Sequence, residues 1–295
     1  MTRPRIAVTL GDPRGIGAEV LARALVDPQV AAAASWLIVG PTGTAVAPDL
    51  SVGPWDASGD ARQAGALAGA AIEAAVACVQ RGEASALVTA PIDKQALALA
   101  GYTDPGHTEM LARLVGTPTA MMLASDRLRV VLATTHIALR EVPDALTAAA
   151  VEQAAALTRS GLREWFGIAE PRIALCALNP HAGDGGRFGT EDATRLAPAA
   201  ARAGIAGPFP ADTVFVRALR GEFDAVIAPY HDVGMTAIKV ASFGEAVNVT
   251  LGLPFPRTSP DHGTALDIAG TGRADPGSMR AALLLAASLA HRTRG

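Results

Sequence analysis

The sequence contains very little lysine or asparagine. Its 295 residues include two of each, which are Lys94, Asn179, Lys239 and Asn248. The formal net charge is −3 and the pI is near 6.1. Proteins that bind the nucleic-acid backbone usually present a basic face, and no basic tract occurs in this chain. Nucleic-acid binding is therefore excluded as the main function.

Cysteine is equally scarce. Cys78 and Cys176 are the only cysteines, and no CxxC motif is present. Both lie in apolar stretches that are typical of a buried helix and a buried strand. This pattern excludes a disulfide scaffold and a zinc-thiolate site.

A long hydrophobic run is also missing. The most apolar stretch, 281–290, is interrupted only by Ser288 and is too short to cross a bilayer, so we expect a core helix there. The N-terminus lacks the hydrophobic region and cleavage site of a signal peptide. With 50% apolar residues, the chain is predicted to form one or two domains, each with a hydrophobic core. We expect a globular, cytoplasmic protein without membrane contact.

Short β-type runs alternate with helical patterns along the chain. Alanine-rich helices are predicted at 61–81 and 144–165. Strands are predicted at 6–10, 36–39, 86–89, 120–123, 129–134, 172–177, 224–228 and 247–251. This alternation favours an α/β fold with a largely parallel sheet, whose doubly buried strands form continuous apolar runs. The stretch 41–60, rich in Pro, Gly and Asp, is predicted to be irregular.

Most of these strands lead into a polar segment. The segments are GDPRGIG, APIDK, TTH, NPHAGDGG and YHDVG. Loops at the carboxyl ends of parallel strands build the site in open α/β sheets, and the scarce lysines and asparagines lie in or near strand-like runs and such segments. Lysine can lose its proton whereas arginine cannot, so its retention here indicates a chemical role. Chance survival at the surface is the alternative.

Five of the six histidines lie in turn-rich polar segments, and only His291, near the C-terminus, is expected to be simply solvated. Three of them, His136, His181 and His231, follow predicted strands directly. Because the ends of parallel strands converge, these imidazoles could bind one divalent cation. A structural, hydrogen-bonded histidine is the alternative reading of each.

The standard nucleotide-binding motifs are absent. Neither GxGxxG after a strand nor GxxxxGK[ST] occurs. The opening segment IAVTLGDPRGIGAE does place a glycine-rich turn between a strand and a helix, where backbone N–H groups could meet an anion. A tight turn without a ligand is an equally good interpretation.

Eight sequence blocks resemble one known family, in order and nearly end to end. They are GDPRGIGAE, APIDK, GHTE, LATTHIAL, LNPHAGDGGRFGTE, GPFPADTVF, YHDVG and VNVTLGLPFPRTSPDHGTALDIAGTGRADPGS. These blocks are similar to those of the 4-hydroxythreonine-4-phosphate dehydrogenase family of pyridoxal phosphate biosynthesis.

The resemblance implies a two-domain α/β/α fold like that of isopropylmalate dehydrogenase, with the active site in the interdomain cleft and near the interface of a homodimer. One discontinuous domain would comprise 1–120 and 246–295 and carry the nucleotide-binding loop. The other would comprise 121–245 and carry the metal-binding histidines and the dimer contacts.

The resemblance also implies NAD as cofactor. The segment HGTALDIAGTGRADP resembles the adenosine-binding loop of the superfamily, and it assigns cofactor binding to His262, Gly263, Thr264, Ala265 and Asp267. Asp267 would hold the ribose hydroxyls. A carboxylate at this position favours NAD over NADP, because it would repel a 2′-phosphate.

Carried over residue by residue, the resemblance makes the three strand-end histidines ligands of a divalent metal, which could be Zn, Mg or Co. It assigns substrate binding to His107, Thr108, Lys239, Asn248 and Arg257.

Two side chains are expected to act in catalysis. Lys239 would take the proton of the substrate alcohol or stabilise the alkoxide, with a salt bridge to the substrate as the alternative. Asp232 would orient an imidazole or assist proton transfer, with a helix N-cap as the alternative. Arg257 suits a forked contact to a carboxylate or phosphate.

The implied reaction is the NAD- and metal-dependent oxidation of the 3-hydroxyl of 4-phosphohydroxy-L-threonine. Decarboxylation would follow and give 3-amino-2-oxopropyl phosphate. Alternatives are the same chemistry on 4-phospho-D-erythronate, 4-phospho-D-threonate or a cis-dihydrodiol carboxylate, a metal-dependent hydrolase, and a non-catalytic metabolite-binding protein.

Four positions and one segment depart from the family pattern. Arg14, Asp93, Val233 and Pro260 stand where the family commonly has alanine, asparagine, glutamine and valine, and the segment between Gly40 and Gly65 is shorter than usual. Asp93 would repel a substrate phosphate if it pointed at one.

Overall fold

The structure is a computed structural model that describes residues 3–242 and 244–293. The strands are β1 Arg5–Thr9, β2 Ser35–Thr42, β3 Leu50–Pro54, β4 Ala86–Thr89, β5 Ala120–Ala124, β6 Arg129–Leu132, β7 Ile173–Cys176, β8 Ala206–Phe209, β9 Ala225–Ala228, β10 Val247–Leu251 and β11 Arg257–Pro260. The helices are α1 Gly17–Leu25, α2 Pro28–Ala33, α3 Ala61–Gln80, α4 Lys94–Leu99, α5 His107–Val115, α6 Val142–Ala145, α7 Ala148–Glu164, α8 Ala197–Ala203, α9 Ala211–Leu219, α10 His231–Ala241 and α11 Gly277–Arg292.

The described residues form two compact units. The first contains the residues up to Pro118 together with those from Val247 on, and the second is Thr119–Ala246.

In the first unit the strand order is β3-β2-β1-β4-β11-β10. All neighbouring pairs are parallel except β10 with β11. The long helix α3 packs on β1 to β4 and on α4, whereas α11 packs on β4, β10 and β11 and on α1 and α2. The buried side chains of α3, together with Leu87, Met110 and Phe255, form the core of this unit.

In the second unit the strand order is β5-β6-β9-β7-β8, and only β5 with β6 is antiparallel. Helix α7 packs on β5, β6, β7 and β9, while α10 packs on β6 and β9. Thr147 caps the N-terminus of α7 by accepting a hydrogen bond from the backbone N–H of Ala150 at 3.1 Å. The carboxyl ends of the parallel neighbours β6 and β9 lie side by side, which determines where the segments after them meet.

Most of the predicted elements are present within one or two residues of their predicted ends, and the α/β class is confirmed. The runs Ala86–Thr89 and Ile173–Cys176 are buried along their whole length, as expected of doubly covered strands. Cys78 and Cys176 are buried and unpaired in α3 and β7. The predicted helix at 144–165 begins later, at Ala148, because Thr147 caps it.

The prediction of an irregular segment at 41–60 was wrong for 41–42 and 50–54 and is confirmed for 43–49 and 55–60, which lie outside helices and strands. Strand β2 continues to Thr42, and β3 lies parallel to it at the edge of the first unit's sheet. Gly53 and Pro54 conceal this strand in the sequence. Both residues are tolerated at a sheet edge, where part of the backbone is left unpaired.

One helix of the described residues, α3, is long and apolar enough to cross a membrane by length and composition alone. Its most apolar window is 61% buried inside the fold, which is the pattern of a core helix. The predicted core helix at 281–290 lies within α11, and its buried side chains include Ala282, Leu283 and Ala286.

Candidate functional site

The second unit brings two of the predicted metal ligands together. His136 lies in the segment after β6, and His231 is the first residue of α10, directly after β9. Their ring centroids are 5.4 Å apart at an angle of 44°. Two imidazoles that bind one tetrahedral zinc have ring centroids about 5 Å apart, given Zn–N distances near 2 Å. The pair therefore has the spacing of two ligands of one ion.

The position of α10 depends on a glycine. A Cβ atom on Gly234 would lie 2.8 Å from the Leu132 side chain and 2.9 Å from those of Ala228 and Val130. Since only glycine permits this approach, α10 lies directly on β6 and β9 and holds His231 at the strand ends.

The carboxylate of Asp232 contacts the imidazole of His231, with 2.7 Å between Oδ1 and Nδ1. This contact engages Nδ1 and leaves Nε2 of His231 for a ligand, which is how carboxylates commonly orient metal-binding histidines. Asp232 is not the helix N-cap, because that position belongs to Tyr230.

Lys239 lies on the same side of α10 as His231. Residues His231, Met235 and Lys239 follow each other at four-residue spacing, so they form one stripe along the helix. They line a pocket of ≈ 530 Å³ together with Asp232, Thr236 and Val240. Val233 is half-buried and packs against the core of the unit instead, so its difference from the family's usual glutamine changes a packing residue rather than the lining of this pocket.

His181 does not join the pair. Among the described residues, no group of three or more His, Cys, Asp or Glu side chains is arranged to hold a metal ion. Residues 181–186 all have positive φ, including His181 at 54°, Ala182 at 55° and Asp184 at 44°. A left-handed backbone at a non-glycine residue costs about 1 kcal/mol or more, and such strain is concentrated at functional sites.

Asn179, one of the two asparagines of the chain, forms hydrogen bonds that stabilise this segment. Its amide donates to the carboxylates of Glu191 at 2.8 Å and of the buried Asp192 at 3.0 Å. Asp192 also accepts hydrogen bonds from the backbone N–H groups of Leu178 and Asn179. Asn179 therefore holds the turn that carries His181.

The first unit contains a buried arginine without a carboxylate partner among the described residues. Arg257, at the start of β11, is 1% exposed. Its Nη1 donates to Oγ1 of Thr250 at 2.9 Å, and its Nη2 donates to Oγ1 of Thr89. Its Nε is buried and has no partner. Desolvation lowers the pKa of Arg257 to about 9, and the charge of Glu109 opposes this shift only in part.

His107 begins α5 close to this arginine. Burial lowers the pKa of His107 well below its ordinary value, and the positive charges of Arg257 and Lys94 lower it further. The imidazole is therefore neutral at physiological pH. Its Nε2 and the Oδ1 of Asn248 are both buried without partners. Buried polar atoms are nearly always hydrogen-bonded in folded proteins, so these two atoms are candidates to bind a ligand.

The structure places Thr108 in the first turn of α5, where it is half-buried. Four of the five predicted substrate-binding residues therefore lie in the first unit: His107, Thr108, Asn248 and Arg257. The fifth, Lys239, lies in the second unit.

Asp93 does not point at open solvent. Its Oδ2 accepts a hydrogen bond from Arg14 at 3.0 Å, and its Oδ1 accepts from the backbone N–H groups of Gln95 and Ala96 at the N-terminus of α4. Arg14 also bonds both carboxylate oxygens of the fully buried Asp12. Arg14 thus pairs with the carboxylate of Asp93 as well as with that of Asp12.

The predicted cofactor-binding loop packs on the glycine-rich turn after β1. The carbonyl of Thr264 accepts a hydrogen bond from the backbone N–H of Ile16 at 3.0 Å. A Cβ atom on Gly15 would lie 2.9 Å from that carbonyl oxygen, so this position requires glycine. Ala265 has a left-handed φ of 43°. The turn of GDPRGIG therefore supports this loop.

The side chains of the loop remain available for a ligand. Nε2 of His262 is buried and has no partner, while its Nδ1 contacts the carbonyl of Gly263 at 3.0 Å. Gly263 and Asp267 are exposed.

A pocket of ≈ 720 Å³ continues from this turn along α1. Its lining includes Arg14, Glu19, Trp55 and Gly270. Glu19 accepts a hydrogen bond from the backbone N–H of Gly270 through Oε2, while its Oε1 is buried without a partner. Sequence reasoning missed Trp55 because it lies in the stretch that was predicted to be irregular.

Comparisons with known proteins agree over nearly the whole chain. Residues 27–286 match the profile of the family described as Pyridoxal phosphate biosynthetic protein PdxA. A 4-hydroxythreonine-4-phosphate dehydrogenase from Geobacter metallireducens is 44% identical over 333 residues, covering 98% of this chain and 96% of the relative.

Solved structures show the same similarity. A 4-hydroxythreonine-4-phosphate dehydrogenase from Klebsiella pneumoniae superposes with a TM-score of 0.86 at 38% identity, over 97% of this chain and 99% of that one. A terephthalate 1,2-cis-dihydrodiol dehydrogenase from Burkholderia xenovorans has a TM-score of 0.68 at 26% identity, over 97% and 98% of the two chains. A β-decarboxylating dehydrogenase from Thermococcus kodakarensis, at 16% identity and TM-score 0.52 over 97% and 82%, shares the fold alone.

Proposed function

Since the chain belongs to the PdxA family of pyridoxal phosphate biosynthetic proteins, we propose that it oxidises the 3-hydroxyl of 4-phosphohydroxy-L-threonine with NAD and a divalent metal. Decarboxylation of the resulting β-keto acid would give 3-amino-2-oxopropyl phosphate. The proposal includes a cytoplasmic homodimer. The observation that carries the chemistry is the pocket on α10, which joins His231, Asp232 and Lys239 beside His136.

The imidazole pair fits a divalent cation. His136 and His231 have the spacing of two ligands of one ion, and the carboxylate of Asp232 contacts Nδ1 of His231. Two imidazoles fill only part of the coordination shell, so water, substrate or further protein ligands would complete it. A cation bound there supplies Lewis-acid chemistry, because it favours loss of the alcohol proton and then withdraws electron density from the carbonyl during decarboxylation.

Lys239 takes the hydroxyl proton in this proposal. Lys239 lies two turns beyond His231 on one stripe of α10, and both side chains line the same pocket. The amine of Lys239 would receive the proton of the hydroxyl oxygen, and NAD bound at the loop 262–267 would supply the acceptor for the hydride of the carbon that bears this oxygen. Asp232 keeps the tautomer and orientation of His231 fixed throughout.

Arg257 recognises an anionic group of the substrate. A buried guanidinium with one unpartnered N–H is costly unless a negative ligand compensates it. His107 and Asn248 contribute a neutral ring nitrogen and an amide, which suit the polar groups of a hydroxy-amino acid.

The loop 262–267 holds the dinucleotide in this proposal. Nδ1 of His262 donates to the carbonyl of Gly263, so the orphaned Nε2 of the neutral ring provides an acceptor. The exposed carboxylate of Asp267 provides an acceptor for ribose hydroxyls, and the adjoining pocket provides room for the nucleotide.

The test is NADH formation, followed by absorbance, by purified protein that has been reconstituted with Zn, Mg or Co. The substrates are 4-phosphohydroxy-L-threonine, 4-phospho-D-erythronate, 4-phospho-D-threonate and a cis-dihydrodiol carboxylate. Metal-dependent turnover of the first at the highest kcat/KM supports the proposal. His231→Asn should lose bound metal by elemental analysis together with activity, whereas His291→Asn, an exposed histidine on α11, is the matched control.

A second candidate is the oxidation of a cis-dihydrodiol carboxylate, which the similarity to the Burkholderia xenovorans dehydrogenase favours. Turnover confined to the dihydrodiol or to one of the phosphorylated sugar acids would keep the dehydrogenase and reassign its substrate. If none of the four substrates gave NADH, the proposed dehydrogenase activity would be contradicted. A metal-dependent hydrolase or a metabolite-binding protein would then be favoured.

A further inference from the structure

Lys94 is one of two lysines in the chain, and the proposed chemistry does not use it. It is the first residue of α4 and is exposed. Asp93 fixes the start of this helix by accepting hydrogen bonds from the backbone N–H groups of Gln95 and Ala96. The backbone of Lys94 is therefore held in place, and its side chain extends from this fixed backbone.

The ammonium of Lys94 lies at the beginning of α5. A Cβ atom built on Gly106 would be 3.5 Å from Cε and 3.9 Å from Nζ of Lys94. Gly106 is the N-cap of α5 and provides no side-chain acceptor for the first backbone N–H groups of that nine-residue helix. The same point lies 3.4 Å from Oε2 of Glu109, which is the nearest carboxylate to it.

Lys94 and Arg257 both act on the imidazole of His107. Their positive charges each disfavour its protonated form, so both cations lie within electrostatic reach of one buried ring. Arg257 is 1% exposed and has an unpartnered Nε, and His107 has a buried, unpartnered Nε2. Lys94 therefore lies beside the N-terminus of α5, in the same region of the first unit as His107 and Arg257 and next to the carboxylate of Glu109. Two cations and a helix N-terminus in one region suit an anion with several oxygens.

The carboxylate next to Lys94 is held by other partners. Arg14, which also pairs with Asp12, binds Oδ2 of Asp93, and backbone N–H groups bind Oδ1. Glu109 is the acidic side chain nearest to the Gly106 position.

We propose that Lys94 is a further substrate-binding residue that contacts the phosphate group and thereby selects phosphorylated substrates over unphosphorylated ones. Arg257 would bind the phosphate from the buried side and Lys94 from the solvent side. This inference rests on the proposed function for the identity of the substrate, but the phosphate contact itself does not require turnover.

The first measurement is the affinity of the metal-loaded protein for inorganic phosphate, by calorimetry. Lys94→Gln should weaken it about tenfold, which is the effect of losing one charge-assisted hydrogen bond. Lys94→Arg should restore most of the loss. Arg220→Gln removes one exposed positive charge from the second unit and is the matched control, with an affinity like that of the unmodified protein.

The second measurement is steady-state kinetics with 4-phosphohydroxy-L-threonine and 4-hydroxy-L-threonine. Lys94→Gln should raise KM for the phosphorylated substrate about tenfold with kcat nearly unchanged, because the contact exists equally in the ground and transition states. The kinetics of the unphosphorylated substrate should not change.

The inference would be overturned if Lys94→Gln had the same phosphate affinity and the same KM as the Arg220→Gln control. It would also be overturned if the unmodified protein bound no phosphate. If the unmodified protein binds phosphate through Lys94 but does not oxidise the phosphorylated substrate, the proposed function fails and the anion site stands.

Discussion

Replacement of Arg257 by methionine should make the protein more stable while abolishing its activity. The fall in the pKa of Arg257 from its ordinary value to about 9 corresponds to about 5 kcal/mol of unfavourable free energy for keeping the guanidinium charged inside the fold. Methionine fits the space of the arginine stem and has no charge to desolvate. Replacements of buried charges by apolar residues are often stabilising for this reason.

Part of this gain is offset. The hydroxyls of Thr89 and Thr250 lose their guanidinium donors, at a cost of about 1–2 kcal/mol each. The remaining gain is about 2 kcal/mol, which should raise the Tm by about 5 °C in a protein of this size.

Differential scanning calorimetry of Arg257→Met in phosphate-free buffer measures the change. Arg280→Met is the matched control, because Arg280 already has a carboxylate partner in Asp27 at 2.7 Å and its removal should leave the Tm unchanged or slightly lower. Added inorganic phosphate should raise the Tm of the unmodified protein and of the control, but not that of Arg257→Met. A Tm of Arg257→Met clearly below that of the control would refute the reasoning, since it would show that the buried guanidinium stabilises the empty fold.

Two further outcomes follow from the contacts of Arg14 and Gly15. A thermal-unfolding double-mutant cycle of Arg14→Ala and Asp93→Asn should give a coupling energy of up to about 1 kcal/mol, and additive effects would show that the ion pair contributes nothing. Gly15→Ala should weaken NAD binding, measured by NADH fluorescence, because the new methyl group would meet the carbonyl of Thr264 at 2.9 Å; unchanged NAD affinity would argue against this loop as the nucleotide site.

The sequence predicted those strands whose burial on both faces leaves a run of apolar residues. Strands such as β4 and β7 are recognisable for this reason. Strand β11 has the sequence Arg-Thr-Ser-Pro and is nevertheless buried along its length between β4 and β10. Its polar side chains have tertiary partners: Thr258 donates to the carbonyl of Ala282, and Arg257 donates to the hydroxyls of Thr89 and Thr250. No local pattern could have predicted this strand, because its partners are distant in the chain.

The candidate site was predictable to the extent that sheet topology determines it. His136 and His231 follow strands that prove to be parallel neighbours, β6 and β9, so they meet as expected. His181 follows β7, which is also a neighbour of β9, yet it does not meet them. The position of this imidazole depends on the left-handed turn at 181–186 and on the hydrogen bond between Asn179 and Asp192 that holds the turn. The order of the strands predicts neither of these features.

The departures at positions 14 and 93 show why single positions are a poor guide to substrate. Taken alone, Asp93 adds a negative charge near a site that is proposed to bind phosphate, which argues against a phosphorylated substrate. The structure places Arg14 within 3.0 Å of that carboxylate, so the two departures bring opposite charges that cancel each other locally. Asp93 also performs the N-cap role for α4, which asparagine performs equally well. The pair therefore preserves both the charge balance and the helix start, and the charge available to an anionic substrate is that of Arg257 and Lys94.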